Sequence, residues 1–421
     1  MRLLWSDEKK FQTWLLVELA ICEGLCKQGV IDSQELKLIQ KNSSFTIDEI
    51  LAEEKKSRHD VAAFVTVVSK KLGKEGRFFH YGATASDTLD TSLAILLKEA
   101  SDILLEDLYN LLSVLKKKAI QFKNTLMIGR SHGIHAEPTT FGLKFALWYE
   151  EMKRNKERLL RAQENISYGK VSGSVGTYAH VSSEVEKYVC EKLGLKPEPI
   201  STQIIPRDRH AEFFITLGLI ASSVEKIALE VRHLQRTEVG EAEEPFEKGQ
   251  KGSSSMPHKK NPILSENLTG LARLVRGYAG VSLENIALWH ERDISHSAAE
   301  RVIAPDATIL VDFMLSRLAD VLENLVVHKD RMLENLKATK GIIYSQRILL
   351  NLIKKGIVRE KAYELVQRNA LKSQSEGLDF QVLVLKDSEI KAYLKEKEIK
   401  DAFNPQTYVE EVDKTFRRIF R

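Results

Sequence analysis

The chain has 421 residues, with 63 Lys and Arg against 59 Asp and Glu, and nine prolines. The net charge of +4 allows a local basic site but argues against a broad phosphate-binding surface, so no nucleic-acid partner is expected. Hydrophobic residues at 43% and charged residues at 29% are ordinary for a soluble globular chain of about two to three domains.

Few prolines leave room for long helices, since proline breaks a helix interior. Charges in MRLLWSDEKKF precede any long apolar stretch, so no signal peptide is expected. No run of 18 apolar residues is present, so no membrane span or membrane partner is expected. Three cysteines cannot form a disulfide framework, and Cys22 and Cys26 read as buried thiols rather than a metal or redox pair. A reduced, cytoplasmic compartment fits.

In chain order, residues 1–91 are predicted to form an N-terminal helical domain, ending after HYGATASDTLDT. Residues 92–345 hold a central long-helix bundle. Leu93, Leu97, Ala100, Leu104, Leu108, Leu111 and Leu115 advance by three or four, one apolar stripe on one helix. TLMIG at 125–129 could be extended. Gly133 suggests a turn before the next helix, with Pro138 in its first turn. ISYGKVSGSVGTYAHVS, 166–182, reads as an ordered loop between two bundle helices. Phe214, Leu217, Ala221, Val224, Ala228, Val231 and Leu234 make a second stripe. QKGSSSMPHKKNP, 250–262, is a polar loop of the kind that carries function. Pro305 and Asp306 are predicted to open a further helix. Residues 346–421 form a C-terminal helical domain whose Lys and Glu read as a solvated face. The fold class is all-α, because rods of this length pack as a bundle.

Five segments combine histidines, hydroxyls and cations: residues 57–60, 80–87, 129–138, 252–262 and 290–301. Eight of the eleven histidines lie in or beside them, and such clustering suggests proton transfer. Any one of these rings could instead cap a helix or pair with a carboxylate. Zinc is the competing chemistry, since His132 and His135 form an H-x-x-H, but there is no H-E-x-x-H or paired C-x-x-C. No metal is expected. Walker-type and dinucleotide-type phosphate loops are absent. Backbone N–H groups after Gly252, with Lys259 and Lys260, suit a carboxylate whose neighbouring carbon loses a proton, because that dianion needs donors and positive charge. A serine base needs the same field to ionise.

These segments resemble the fumarase/aspartase superfamily, whose loop G-S-S-x-M-P-x-K-x-N is matched at 252–261. Within it the resemblance is to the adenylosuccinate lyase family. It is carried by SRHDVAAF at 57–64, HYGATASDTLDT at 80–91, GRSHGIHAEPTTFG at 129–142, STQIIPRDRHAEF at 201–213 and WHERDISHSAAERVIAPD at 289–306. The resemblance implies three helical domains and a homotetramer with a core of about twenty helices. It implies an active site shared by three subunits, a nucleotide substrate and no cofactor. The implied reaction is β-elimination of fumarate from adenylosuccinate, giving AMP, and from succinylaminoimidazole carboxamide ribotide, giving its free carboxamide.

The roles it implies are specific. Ser253 resembles the general base and Ser254 its neighbour on the carboxylate. His132, after Ser131, resembles the general acid, and Glu266 the carboxylate that orients it. His59, between Arg58 and Asp60, resembles a second active-site histidine, and His80 a residue near the phosphate. Thr84, Ser86, Lys259 and Asn261 would hold a substrate carboxylate, Gln203 a substrate amide, and Ser297 and Arg301 the phosphate. Three departures stand out. Ser131 replaces the usual Thr, Ala85 removes one hydroxyl from T-S-[ST]-D, and Met1-Arg2-Leu3-Leu4 leads almost directly into Trp5 without the family's Arg-Tyr arm. Two other readings remain. Another fumarate-releasing lyase (argininosuccinate lyase, aspartase or fumarase type) would not all need a phosphate site at Ser297 and Arg301. A non-enzymatic helical scaffold would not need Ser253 or His132.

Overall fold

The computed structural model describes residues 1–246 and 249–420. Helices dominate, as expected. The first are α1 (Asp7–Lys27), α2 (Ser33–Asn42), α3 (Ile47–Ser57) and α4 (Asp60–Leu72). Their starts are written locally. Ser6 caps α1, accepting from the Lys9 N–H, and Asp32 with Glu35 and Thr46 with Glu49 form reciprocal capping boxes. Then come α5 (Ala85–Gln121), α6 (Phe141–Ile166), α7 (Ser183–Lys192), α8 (Asp208–Gln235), α9 (Ile263–Glu284) and α10 (Ser295–Glu323). The C-terminal stretch holds α11 (Lys329–Lys337), α12 (Ser345–Lys354), α13 (Arg359–Glu376), α14 (Phe380–Lys386), α15 (Ser388–Lys391), α16 (Glu396–Ala402) and α17 (Val412–Ile419).

Among the described residues, strands occur only as three two-stranded ribbons. The longest is an antiparallel hairpin, β1 (Leu126–Ser131) with β2 (Ile134–Thr140). The other strands are two residues each.

Contacts divide the chain into two compact units. One is Met1–Tyr109, Arg154–Glu225 and Leu268–Ser316, and the other is Asn110–Lys153, Lys226–Asn267 and Arg317–Arg421. The five longest helices, α5, α6, α8, α9 and α10, contribute residues to both. In the first unit Phe11, Trp14 and Phe64 meet edge-on or stacked and centre a core with Val17, Ile21 and Val68. In the second, α12, α13, α14 and α16 close over Ile348, Leu352, Leu365, Phe380 and Ile399. The two long stripes are buried as their spacing requires. Leu97, Ala100, Leu104, Leu108, Leu111 and Leu115 are fully enclosed on α5, as are Leu217, Ala221, Val224, Ala228 and Val231 on α8, whereas Leu93 is half-buried.

Two proline expectations are corrected. Pro138 does not open a helix. It lies in β2 opposite Ile128, and the helix begins only at Phe141, with the Thr140 hydroxyl accepting from the Leu143 N–H. A strand in a two-stranded ribbon has one unpaired edge, so a residue lacking an N–H is tolerated there. Pro305 does not open α10 either; it sits inside that helix. The helix starts at Ser295, whose N–H and hydroxyl both donate to the Asp293 carboxylate. Interior proline costs about 3 kcal/mol. Glu300 and Arg301, one turn earlier, make ion pairs to Arg207 and Asp60 that hold this stretch helical.

Candidate active site

The first unit contains a cavity of about 330 Å³. Its apolar lining is Leu4, Trp5, Leu89, Leu93 and Leu96; Ser86, Arg292, His296, Ser297 and Arg301 add polar groups. Ser297 and Arg301 face it together because they are four apart on α10. Arg301 donates to Asp60 at 2.8 Å, which aims its guanidinium. Asp60 is the first residue of α4, and His59 caps that helix, its Nδ1 accepting from the Ala62 N–H at 3.3 Å. Arg58 before it takes a left-handed conformation (φ 54°), which ends α3 and lets the chain reverse.

Asp90, Arg207 and Glu300 also line the cavity, as a buried charge network. Arg207 donates to both oxygens of Asp90 (2.7 and 2.8 Å) and to Glu300 (3.0 and 3.2 Å). Burial opposes ionisation of Asp90, but the Arg207 charge and hydrogen bonds win and hold its carboxyl well below the usual range. Burial and the same guanidinium push His296 down to about 4 and His210 well below the ordinary value, so both rings are neutral at pH 7. A second buried pair, Lys170 with Asp87, has both side chains fully enclosed. Asp87 also accepts from the N–H groups of Thr84 (2.8 Å) and Ser172 (3.1 Å), fastening the 168–173 segment to the start of α5. Gln203 donates to the Thr84 hydroxyl at 3.3 Å and accepts from Arg292 at 3.4 Å.

The second unit carries the serine loop and the other histidine pair. His132 and Gly133, at φ 53° and 79°, form the tip of the β1–β2 hairpin. His132 is exposed and, among the described residues, has no hydrogen-bonding partner within the chain. Beneath it, Arg130 donates to both oxygens of fully buried Glu241 (2.9 and 2.8 Å). His135 is pushed below the ordinary histidine value by burial and by Arg130. In the loop, the Ser253 hydroxyl oxygen accepts from the N–H groups of Ser255 (3.3 Å) and Met256 (3.1 Å). Asn261 donates to the Gly252 carbonyl at 3.0 Å. A Cβ on Gly252 would lie 1.9 Å from the Lys259 carbonyl oxygen, so only glycine closes this turn. Lys260 pairs with Glu243 at 3.0 Å. Glu244 accepts from the Leu264 and Ser265 N–H groups, so this carboxylate caps α9. Glu266 stands exposed in the first turn of α9, and Ser254 and Lys259 are exposed in the loop.

The sequence-predicted residues thus fall into two groups. Arg58, His59, Asp60, His80, Thr84, Ser86, Gln203, Ser297 and Arg301 lie in the first unit; Ser131, His132, Ser253, Ser254, Lys259, Asn261 and Glu266 lie in the second. Ser86, Ser297, Arg301 and Asp60 are brought together at one cavity. Arg292 was not singled out from sequence, although it lies in HERDISHS. It lines the same cavity, and its Nε is buried without a hydrogen-bond partner. That is an unused donor beside Ser297 and Arg301, and its place in the same basic motif was the available signal.

A family model described as lyase matches residues 1–277. Solved structures share the fold over the whole chain. A fumarate lyase from Mesorhizobium sp. BNC1 superposes with a TM-score of 0.92 at 23% identity, covering 100% of this chain and 96% of that one. The 3-carboxy-cis,cis-muconate lactonizing enzyme from Pseudomonas putida gives 0.90 at 25% identity, covering 100% and 95%. The chain is a lyase of the fumarase/aspartase superfamily. A second model, adenylosuccinate lyase C-terminus, matches residues 341–419. Curated adenylosuccinate lyases are 52% identical in Bacillus subtilis (100% of this chain, 97% of the relative) and 50% identical in Aquifex aeolicus (99% and 96%). The chain belongs to the adenylosuccinate lyase family.

Proposed function

We propose that the chain eliminates fumarate from adenylosuccinate to give AMP, and from succinylaminoimidazole carboxamide ribotide to give the aminoimidazole carboxamide ribotide. The observation that carries this reading is the cavity lined by Arg292, Ser297 and Arg301, in a chain half identical to adenylosuccinate lyases along its length. Two guanidiniums and a hydroxyl suit a phosphate. Aspartate or malate would need no such site.

In the reaction, Ser253 takes the proton from the succinyl Cβ. The C–N bond then breaks, its electron pair passes to the departing nitrogen, and His132 protonates that nitrogen. The Ser255 and Met256 N–H groups already aimed at the Ser253 oxygen favour its ionised form. Lys259, Asn261 and Ser254 stabilise the carboxylate dianion, and Glu266 orients His132. Thr84, Ser86 and Gln203 hold the succinyl and amide groups. His59 and Arg58 act near the departing nitrogen, Ser131 supports His132, and Asp60 aims Arg301. Closure of the 250–262 loop excludes water.

The assembly proposed is a homotetramer whose sites draw on three subunits. In support, His132 has no hydrogen-bonding partner among the described residues of its own chain, and Ile215, Leu219, Leu274 and Leu283 leave apolar surface exposed on α8 and α9. A cytoplasmic location accords with three free cysteines. Among the described residues, no helix is long and apolar enough to cross a membrane.

Purified tetramer mixed with adenylosuccinate should release AMP and fumarate, followed by ultraviolet absorbance. No product at micromolar enzyme overturns the proposal, and turnover of argininosuccinate or aspartate instead would transfer the chain to another branch of the superfamily.

A further inference from the structure

Glu18 lies in the middle of α1, far in sequence from any motif, and its side chain is fully buried. A carboxylate there is costly unless paired. Its Oε1 accepts from the His80 Nδ1 at 2.7 Å and from the Thr88 hydroxyl at 2.5 Å. Its Oε2 is buried with no hydrogen-bond partner, so a positive charge on His80 is what offsets the burial.

His80 is held just as firmly. Its backbone sits in the left-handed region (φ 63°), and Gly82, two residues on, has no room for a Cβ against the His180 carbonyl (2.9 Å). With Nδ1 committed to Glu18, Nε2 lies on the opposite edge of the ring and has no protein partner among the described residues. The side chain keeps 20% of its surface exposed. The same turn leads, four residues later, to Thr84, joined through Gln203 to Arg292 on the cavity wall.

We infer that Glu18 is a positioning residue that keeps His80 as an imidazolium, with its Nε2–H offered to an anionic oxygen of the substrate. The inference rests on the proposed function, in which the ligand is a dianionic succinyl nucleotide. The charged groups facing His80 agree. They are Glu18 from α1 and Asp87 from the start of α5, and Lys170 already neutralises Asp87. Burial lowers the affinity of His80 for its proton, but the Glu18 charge and hydrogen bond outweigh it and the net shift is upward. The recognised oxygen belongs either to the phosphate or to a carboxylate; both need a proton on Nε2, and with Nδ1–H committed to Glu18 only the charged ring carries one there.

The test uses the whole assembled protein labelled at histidine Cε1, with the His80 signal assigned by its absence in His80→Gln. In the wild type, His80 should titrate above the ordinary ~6.5, and in Glu18→Gln below it. Each unit of that shift removes the imidazolium about tenfold on the alkaline side. Glu18→Gln should therefore bind its ligand more weakly at pH 8, by about tenfold for each unit that its His80 titrates below the wild type, and almost as well as wild type at pH 6. AMP and fumarate are the probes: loss confined to AMP assigns the oxygen to the phosphate, and loss confined to fumarate assigns it to a carboxylate. A wild-type titration at or below the ordinary value overturns the inference, and needs no variant to fold. So does an equal weakening at both pH values, as does no change with either ligand. The titration is read on free enzyme, so failure of the adenylosuccinate assay would strike the proposed function and leave this result to be judged separately.

Discussion

The two units solve opposite problems. In the first, charged groups are fixed before any ligand arrives: Arg207 between Asp90 and Glu300 and Asp60 on Arg301 at the cavity, and Lys170 on Asp87 and Glu18 on His80 elsewhere in the unit. In the second, His132 sits at an exposed hairpin tip, and Ser254, Lys259 and Glu266 face outward. Buried pairs position a binding site at the cost of desolvation, which low-dielectric hydrogen bonds recover only when every partner is in place. The exposed His132 and the half-buried Ser253 avoid that cost. On the proposed roles, they gain catalytic force only when substrate and neighbouring subunits surround them.

The comparison can be broken most directly at the serine loop and the hairpin tip. Ser253→Ala and His132→Ala should each lower kcat by about 10²- to 10⁴-fold, the span of a lost general acid or base. Each variant should keep the wild-type melting temperature, because neither side chain supports a core. Mixed together, the two should regain activity if different subunits supply them, and mixtures that stay dead would count against a shared site. The pre-built unit should fail differently. Lys170→Met leaves Asp87 buried and unpaired, so stability should fall by about 3–5 kcal/mol in urea unfolding. A loss below about 1 kcal/mol would mean that water reaches the carboxylate. The smallest effect should come from Arg301→Met. It removes charged hydrogen bonds worth about 1.5–3 kcal/mol, so KM for adenylosuccinate should rise about ten- to a hundredfold with little change in kcat. A fall in kcat at constant KM would show that Arg301 acts in the transition state instead.

Much of the fold was legible because helices are local. The stripes from Leu97 to Leu115 and from Leu217 to Val231 are buried, since the 3.6-residue period alone decides which face turns inward. The candidate residues could be named because segments such as GSSSMPHKKN match the motifs of the family that the chain resembles. The β1–β2 hairpin was only half visible. TLMIG looked extended, but its partner strand contains Pro138, whose local preference also suits a helix start. The start of α10 was misread for a related reason. Proline normally marks a helix's first turn, yet here Asp293 caps the helix at Ser295 and long-range pairs to Arg207 and Asp60 carry it through Pro305.

By itself the sequence determined the all-α class and the long rods, because periodicity acts over a few neighbours, and its motifs marked the loops that carry the candidate residues. Only the tertiary structure decided which charges are partnered. Glu18 reaches His80 across 62 positions, Lys170 reaches Asp87 across 83 and Arg207 reaches Asp90 across 117. No local pattern encodes such pairs. They exist because chain closure brings groups into a water-poor interior, where an unpaired charge is too costly to leave alone.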